Sequence, residues 1–588
     1  MKVTIDIKAC SDVDYRKTGF AAYAQHPSTR IVCIALKEED KDAVLWINPV
    51  FQSKATTALS QKELFLSLNK ADQIEGYEIL LEYFLWKYQL CPHYGLSVPD
   101  EKKFHCLKAR AGCWGLPQNF PLLCQIIGIE FAGRSSEVSP EELCKQSVAV
   151  VCAEAAVAKR LPAMSEREDA FWQLGLKINS RGYQINALQI QKNLEQLKVI
   201  SERLQNHLQI SRQHRPEGMK RKTRGDFSNG NSAGTLFPSE DPCVYRTWEI
   251  QRRRILSFAA KQERMLEIQC SDHRIRGTFF CFGHSAGAWK ERLIRLNDSE
   301  IGEGTTSQNS RYFTNVIVPG AQHEFIVIEY PDLSGRILAW LSEDEHALIA
   351  YRQNRDLFAM TGAAIQSNVC AVNPEKEKIL GRIAELAFRY QGGVERFRRF
   401  AKNENIDLPE ETIEQFFRQW CNTRPRVVQF WHDVEQKCYD AYHFSKKVPY
   451  RKIQIECDRS FLNLHLPTES TLRYFMPEKD FSAMVRTRRQ LISVWIMKAR
   501  YWCRKTLYGG MLTREIVSAI ACGFLGNRML VAENAGYPVV RILQNGFLIE
   551  NPRSHGSLEK LLEELDKTPM WTEQLPIKVT GRKGGSFE

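Results

Sequence analysis

The sequence predicts a multidomain α/β protein in which helices dominate, and three observations carry that expectation. The chain has 588 residues, too many for one hydrophobic core, so three or four units of ~150 residues each are expected. Its opening, Met1 to Ile7, alternates Val3, Ile5 and Ile7 as a half-buried strand does. Farther on, apolar residues recur at helical spacing over stretches too long for strands. Composition agrees, because 43% hydrophobic and 26% charged residues leave little room for disorder.

The elements follow in chain order. Ile31 to Leu36 and Ala43 to Ile47 resemble neighbours of the opening strand. Helical patterns run from Lys62 to Tyr88, from Pro140 to Ala158, and from Glu166 to Leu208 with a break at Ser180-Arg181-Gly182. Residues 211 to 235 are basic, then rich in Gly, Ser and Asn, and read as a linker. Val244 to Gln269 is helical, Arg274 to Phe282 strand-like, and Phe325 to Glu329 a short apolar strand leading into a helix from Leu333 to Gln353. Pro374 to about Asn405, Glu410 to Tyr442 and Phe481 to Lys505 read as helices, and Gly536 to Glu550 as a strand-turn-strand hairpin.

Net charge is +12, from 81 Lys+Arg against 69 Asp+Glu. The excess gathers at Arg212 to Arg224, Arg252 to Arg254, Arg396 to Arg399 and Arg486 to Arg489. Four such clusters favour a nucleic-acid partner, since each neutralised phosphate releases condensed counterions. Asp6, Lys8, Asp12 and Asp14 leave no secretory apolar region at the start, and the most apolar later stretch, Ser147 to Ala158, is interrupted by Glu154. A soluble, cytoplasmic, nucleoid-associated protein without a membrane partner is expected. The 17 cysteines read as reduced core thiols. Cys91, His93, His105 and Cys106 fit no ordinary zinc spacing, and that reading is set aside.

Several segments carry a resemblance. The opening DIKACSDVDYRKTGFAAYAQHPSTRIVCIAL, then FHCLKARAGCWGLP, EREDAFWQLGLKINSRGYQIN, EYPDLSGRILAWLSEDE, GRIAELAFRYQGGVERFRRFA, KTLYGGMLTREIVSAIA and AGYPVVRILQNGFLIENP occur in the order found in the phage and prophage branch of family A DNA polymerases. The chain resembles that family over most of its length. The resemblance implies an RNase H-like exonuclease domain followed by a right-hand polymerase fold of thumb, palm and fingers. It places an exonuclease-like domain at 1–163, a thumb-like helical region at 164–270 with the basic linker 211–235, a first palm segment at 271–371, a fingers-like region at 372–480 and a second palm segment at 481–588.

The resemblance also names site positions, and many are altered. Where the family has an Asp-x-Glu pair gripping metal ions on one strand face, this chain has Asp6 and Lys8, and an ion pair between them is expected. The second exonuclease acid is Glu78; the third motif's Tyr and Asp become Leu143 and Ser147. In the polymerase site, where two Mg²⁺ ions would be held by carboxylates, Glu329 takes the first Asp position and Ser334 stands for a Glu. The family's Val-His-Asp-Glu reads Leu543-Gln544-Asn545-Gly546. Four acid positions thereby fall from a formal charge of −4 to −1. Neither site is expected to be catalytically intact, no cofactor is implied, and Mg²⁺ enters only if residual activity exists.

The phosphate-facing side is less eroded. Lys378, Arg382, Leu386 and Tyr390 keep the four-residue spacing of the family's nucleotide-binding fingers helix, with Lys378, Arg382 and Tyr390 as candidate phosphate contacts and Leu386 in place of a stacking aromatic. The alternative is an ordinary amphipathic helix of an inherited fold. Backbone contact with DNA is expected from Lys290, Arg292, Lys505 and the linker cations Lys220, Arg221, Lys222 and Arg224. Specific primer recognition is weakened, since Ala286-Gly287-Ala288 replaces a Thr-Gly-Arg segment and Ser518 and Cys522 replace a Gln and an Arg. The expected function is a catalytically inactive polymerase homologue that binds DNA and serves replication as an accessory or scaffold, with an active polymerase or another replication protein as a further partner. Two alternatives stay open: a residual polymerase using Glu329 with Glu550 or Glu533, and a protein-interaction module without nucleic acid.

Overall fold

The computed structural model describes residues 1–51, 59–131, 139–213, 242–280, 290–291, 316–366, 373–404, 406–498 and 501–584. Strands β1 (Lys2–Cys10), β2 (Arg30–Glu38), β3 (Val44–Ile47), β4 (Gln73–Gly76) and β5 (Phe104–Cys106) form one sheet in the order β3-β2-β1-β4-β5. The first three pair antiparallel, while β1, β4 and β5 run parallel. Parallel neighbours require a crossover, which α1 (Gln61–Lys70) supplies before β4 and α2 (Leu80–Leu85) supplies after it. A capping box between Ser60 and Glu63 starts α1. Sequence periodicity alone joins these pieces into one helix over 62–88; pairing with β1 pulls Gln73–Gly76 out of it. Helix α3 (Pro140–Arg160) lies against β1 and β2. Its start is set by the Ser139 hydroxyl, which accepts the Glu142 N–H, and by Pro140 in the first turn.

Helix α4 (Glu166–Arg181) opens on a second capping box, Ser165 with Glu168. It serves two cores: Phe171, Trp172 and Leu176 join the N-terminal sheet's core, whereas Leu174 and Ile178 join the large core of the remainder. After β6 (Tyr183–Ile185) come α5 (Ala187–Gln213) and α6 (Pro242–Ile268), which pack against each other. His207 lies beside the Trp248 ring, and Arg252 donates to Gln205. The expected linker starts inside α5, and its residues 214–235 lie outside the described residues. The strand expected over 274–282 is two short ones, β7 (Arg274–Ile275) and β8 (Phe279–Phe280), separated by Gly277 at φ +71°. β8 pairs with β9 (Lys290–Glu291), and β7 joins β6 and β10 (Ile317–Val318) in a three-stranded sheet.

The next strand, β11 (His323–Glu329), leads into α7 (Leu333–Ser342), α8 (Glu345–Arg352), α9 (Leu357–Gln366), α10 (Pro374–Phe388), α11 (Val394–Ala401), α12 (Glu410–Thr423) and α13 (Pro425–Phe444). Three expected long helices are therefore each divided. Glu343 in the left-handed region breaks 333–353, and Gln391 at φ 58° followed by Gly392-Gly393 breaks 374–405. Pro425 cannot continue a helix but can start one, and it breaks 410–442.

Strands β12 (Val448–Tyr450), β13 (Ile453–Cys457), β14 (Phe461–His465), β15 (Thr471–Lys479), β16 (Ile492–Lys498) and β17 (Tyr501–Thr506) form a six-stranded antiparallel meander, interrupted only by the short helix α14 (Phe481–Thr487). The helix expected over 481–505 is thus wrong for most of its length. Ile492, Val494 and Ile496 alternate with Ser493, Trp495 and Met497, and this period of two, with its aromatic and β-branched residues, decides for strands. The meander also runs across the expected division at 480/481.

Helix α15 (Gly509–Asn534) follows, then β18 (Val539–Ile542), β19 (Gly546–Pro552), α16 (Leu558–Asp566) and β20 (Thr580–Gly584). Among the described residues α15 alone is long and apolar enough to cross a membrane, but Ile516, Ile520 and Phe524 are buried in protein core. The last sheet has the order β18-β19-β11-β20. Phe325, Ile326 and Ile328 of its central strand are completely buried, each contributing ~1.5–3 kcal/mol through burial.

Candidate functional site

Register brings the sequence-identified palm residues together. On β11, Glu329 stands opposite Gly546 of β19 and opposite Thr580 of β20. The turn between β18 and β19 carries Asn545, whose carbonyl accepts the Tyr330 N–H at 2.8 Å. Ser334 is the second residue of α7. The position facing Glu329 has no room for a side chain: a Cβ on Gly546 would meet the Ile328 carbonyl oxygen at 1.9 Å. An acid at 546 is excluded by backbone packing, and its absence is built into the strand register.

The alternative acids are engaged elsewhere. Glu550 lies opposite Phe325, four register positions from Gly546 or about 13 Å along the strand. It accepts from Arg274 Nη1 at 3.1 Å and from the Gly320 N–H at 2.6 Å. Glu533 accepts from Arg181 Nη2 at 2.7 Å and from the Val539 N–H at 2.7 Å. A pair of divalent ions in this chemistry needs several carboxylates converging on one point. Among the described residues no group of three or more His, Cys, Asp or Glu side chains is so placed. The residues around Glu329 do not fit a paired Mg²⁺ site.

An acid that sequence reasoning passed over is Asp332. It sits between β11 and α7 with φ 46°, and its carboxylate takes both terminal nitrogens of Arg389, at 2.6 and 2.7 Å, and the Tyr351 hydroxyl at 2.6 Å. Arg389 donates also to Glu385 at 2.9 Å. Glu385 accepts further from Thr361 at 2.7 Å, Trp420 at 3.1 Å and Arg424 at 3.2 Å. Burial opposes ionisation of Glu385, but Arg424 and Arg389 outweigh it and hold its pKa down at about 2. Gly335 is where the chain makes space, since a Cβ there would lie 2.4 Å from Asp332 Oδ2 and from the Tyr351 hydroxyl. The visible signal was the Glu385–Arg389 spacing of four within an apolar helix.

The expected phosphate contacts are held in ion pairs. Lys378 pairs with Asp356 at 2.9 Å and Arg382 with Glu404 at 2.6 Å. Leu386 is exposed on the same helix. Tyr390 lies two residues beyond the end of α10, so the expected four-residue helical row stops before it.

In the N-terminal sheet the expected ion pair forms: Lys8 Nζ lies 2.7 Å from Asp6 Oδ1. Ser147, reaching over from α3, donates to Asp6 Oδ2 at 2.5 Å. Glu78 accepts from Lys108 at 2.5 Å. A buried acid that the sequence reading missed, Glu82, lies near this group; burial first, and the Asp6 charge second, push its pKa up to about 8. Its signal was a lone acid one helical turn after Glu78 in the apolar run EILLEYFL. An ammonium on Asp6 occupies the position a divalent ion would need, so this group does not fit a metal pair either.

Of the expected DNA contacts, Lys290 lies on β9 opposite Phe280, and Lys505 lies on β17 opposite Val494, a strand where a helix was expected. Ser518 and Cys522 are one turn apart on α15. Arg292, Lys220, Arg221, Lys222, Arg224 and the segment 286–288 lie outside the described residues.

Comparison with known proteins adds kinship to this geometry. No family model matches the chain. It is 22% identical over 654 aligned positions to a DNA polymerase of Bacillus phage SP02, covering 98% of each chain. The POL domain of Pol1 from M. smegmatis, solved in complex with DNA primer-template and dNTP, superposes with a TM-score of 0.66 at 14% identity, over 100% of this chain and 95% of that one. The second likeness establishes the fold and the first spans both proteins almost end to end. The chain is thus similar, almost end to end, to a protein named as a phage DNA polymerase, and it has the fold of a Pol1 polymerase domain.

Proposed function

We propose that this protein is a polymerase homologue that binds DNA without catalysing nucleotide transfer, and that it acts in the cytoplasm as an accessory or scaffold factor in phage-derived DNA replication. In this reading residues 1–163 are an RNase H-like exonuclease relic, consistent with the strand order β3-β2-β1-β4-β5. The rest is a right-hand fold with thumb at 164–270, palm at 271–371 and 481–588, and fingers at 372–480. The observation that carries the loss of transfer is the hairpin facing Glu329: the family's Asp position is the neutral Asn545, and at the next position, Gly546, backbone leaves no room for the family's Glu, so Glu329 has no second carboxylate beside it for two-metal chemistry. Lys8 on Asp6 supports the same conclusion for hydrolysis. DNA binding is supported by the basic charge and by homology to a protein named as a DNA polymerase.

One observation favours a residual polymerase, the surviving carboxylate of Glu329 at the strand end. Primer extension at high protein concentration with Mg²⁺ or Mn²⁺ separates the two. We expect no extension, alongside a gel shift of primer-template DNA; extension that Glu329→Ala abolishes would overturn the inactive reading, and no shift at moderate salt would overturn the DNA-binding one.

A further inference from the structure

Half of the chain's net charge lies in one stretch of sheet and the short helix α14 set within it. Between Thr471 and Thr506 the described residues carry eight Lys+Arg against two Asp+Glu, in a chain whose total is +12. The meander buries one face, with Ile455, Leu464, Leu472, Tyr474 and Val494 in the main core. Register places a different set on the opposite face: Phe461 opposite Phe475, Phe475 opposite Trp495, Trp495 opposite Arg504, and Met497 opposite Trp502.

These rings form a continuous row. Phe461 and Phe475 lie 5.4 Å apart, Phe475 and Trp502 6.3 Å, and Trp502 and Trp495 6.4 Å with their planes within 9° of parallel. Trp114 covers the inner end beside Phe461. Trp495 and Trp502 at the outer end are partly exposed. The Arg504 guanidinium sits 5.5 Å from the Trp495 ring centre, close enough for a cation–π contact, and is steadied by Glu478 at 2.6 Å. The short helix α14 between β15 and β16 adds exposed apolar side chains: Phe481 is 70% exposed and Val485 83%.

A partly exposed aromatic row with a guanidinium at its outer ring marks a binding surface rather than an unfinished core. The charge selects a polyanion, and the rings select one whose base faces are accessible. Duplex DNA offers phosphates while its base faces stay stacked inside; single-stranded DNA offers both, and base stacking on aromatic side chains is tolerant of sequence. We propose that the β14–β17 face is a stacking platform for single-stranded DNA. Trp495 and Trp502 receive bases, and Arg504 beside them meets the backbone phosphate. This rests on the reading that the protein binds DNA, and specifies which form it holds and where.

The test uses the full chain with a labelled oligothymidylate of roughly 20 nucleotides, longer than a typical single-strand site of about 4–16, beside a blunt duplex of equal length. W495A/W502A should weaken oligothymidylate binding by about tenfold or more, on the usual scale of one base stack per ring, and change duplex affinity less than twofold. W495F/W502F, which keeps a stacking face, should retain most of the affinity. Hydrogen exchange on the unsubstituted protein provides a reading independent of variant folding: oligothymidylate should protect β16 and β17. Unchanged affinity in a folded W495A/W502A protein, or protection confined to other elements, overturns the proposal. Binding of duplex alone overturns it while leaving DNA binding intact, whereas binding of neither removes the DNA reading itself. A dimer that W495A/W502A converts to monomer, with oligothymidylate affinity unchanged, assigns the face to a second copy and also overturns it.

Discussion

At Asp6 the decisive neighbour is two residues away. Lys8 shares a strand face with it, so an ammonium meets the carboxylate at 2.7 Å and Ser147 completes its hydrogen bonding. Glu82 behind them has a different fate, because burial and the Asp6 charge raise its pKa from 4.5 to about 8. A pKa higher in the folded than in the unfolded chain means that the protonated carboxyl favours folding. The associated stability is complete below about 4.5 and is lost as pH climbs through about 8. Glu82→Gln, fixed in the neutral form, should therefore be more stable than the unsubstituted protein at pH 8.5 and closer to it at pH 5. The gap should be on the order of a few kcal/mol. Hydrogen exchange of β1 at the two pH values reads it, and a gap that does not change with pH would rule the buried charge out.

Between elements, the Asp332–Arg389–Glu385–Arg424 chain ties α7 to α10 and α12 through a half-buried Asp332 and three side chains that are almost wholly inside the protein. Replacing its central cation would leave Asp332 without an ion pair and Glu385 with Arg424 alone, and a broken buried pair costs ~3–5 kcal/mol. Arg389→Met should lower stability by that amount in urea unfolding, and a loss below about 1 kcal/mol would show that the pair is solvated. Elements are also where sequence reading was least complete. Periodicity correctly placed helices over most of 166–208 and 333–442, because amphipathic spacing is local. It ran them through Glu343, Gln391 and Thr423-Arg424-Pro425, where a left-handed residue, a Gly pair or a proline divides them. In 481–505 a period of two was mistaken for a helix, and the meander that carries the aromatic row went unseen.

For the molecule as a whole, the proposed DNA binding by a chain of charge +12 predicts an affinity that depends on salt. If the protein neutralises about six phosphates, its apparent affinity should fall roughly a thousandfold between about 50 and 200 mM salt. Equilibrium titrations of the oligothymidylate across that range measure the slope. A flat dependence would favour a protein partner over a nucleic acid. The two cores share α4, and Arg473 of the meander donates to the Cys113 carbonyl beside Trp114, so the aromatic face is anchored to the N-terminal sheet.

Descent and the identity of the altered positions were legible in the linear chain. Asp6, Lys8, Glu329, Asn545 and Gly546 could be named from ordered motifs, because such motifs are local and each residue's charge is its own. The meeting of Lys8 with Asp6 could also be anticipated, since two positions on one strand always share a face. The remaining features required the folded protein. That Gly546 leaves no space opposite Glu329, that Glu550 is too far along its strand to help, that Asp332 is held by an arginine 57 residues away, and that Trp495 and Trp502 line one face all depend on register and packing between distant segments. A linear pattern records which side chains the chain carries; their partners are set by the free energy of burying them together.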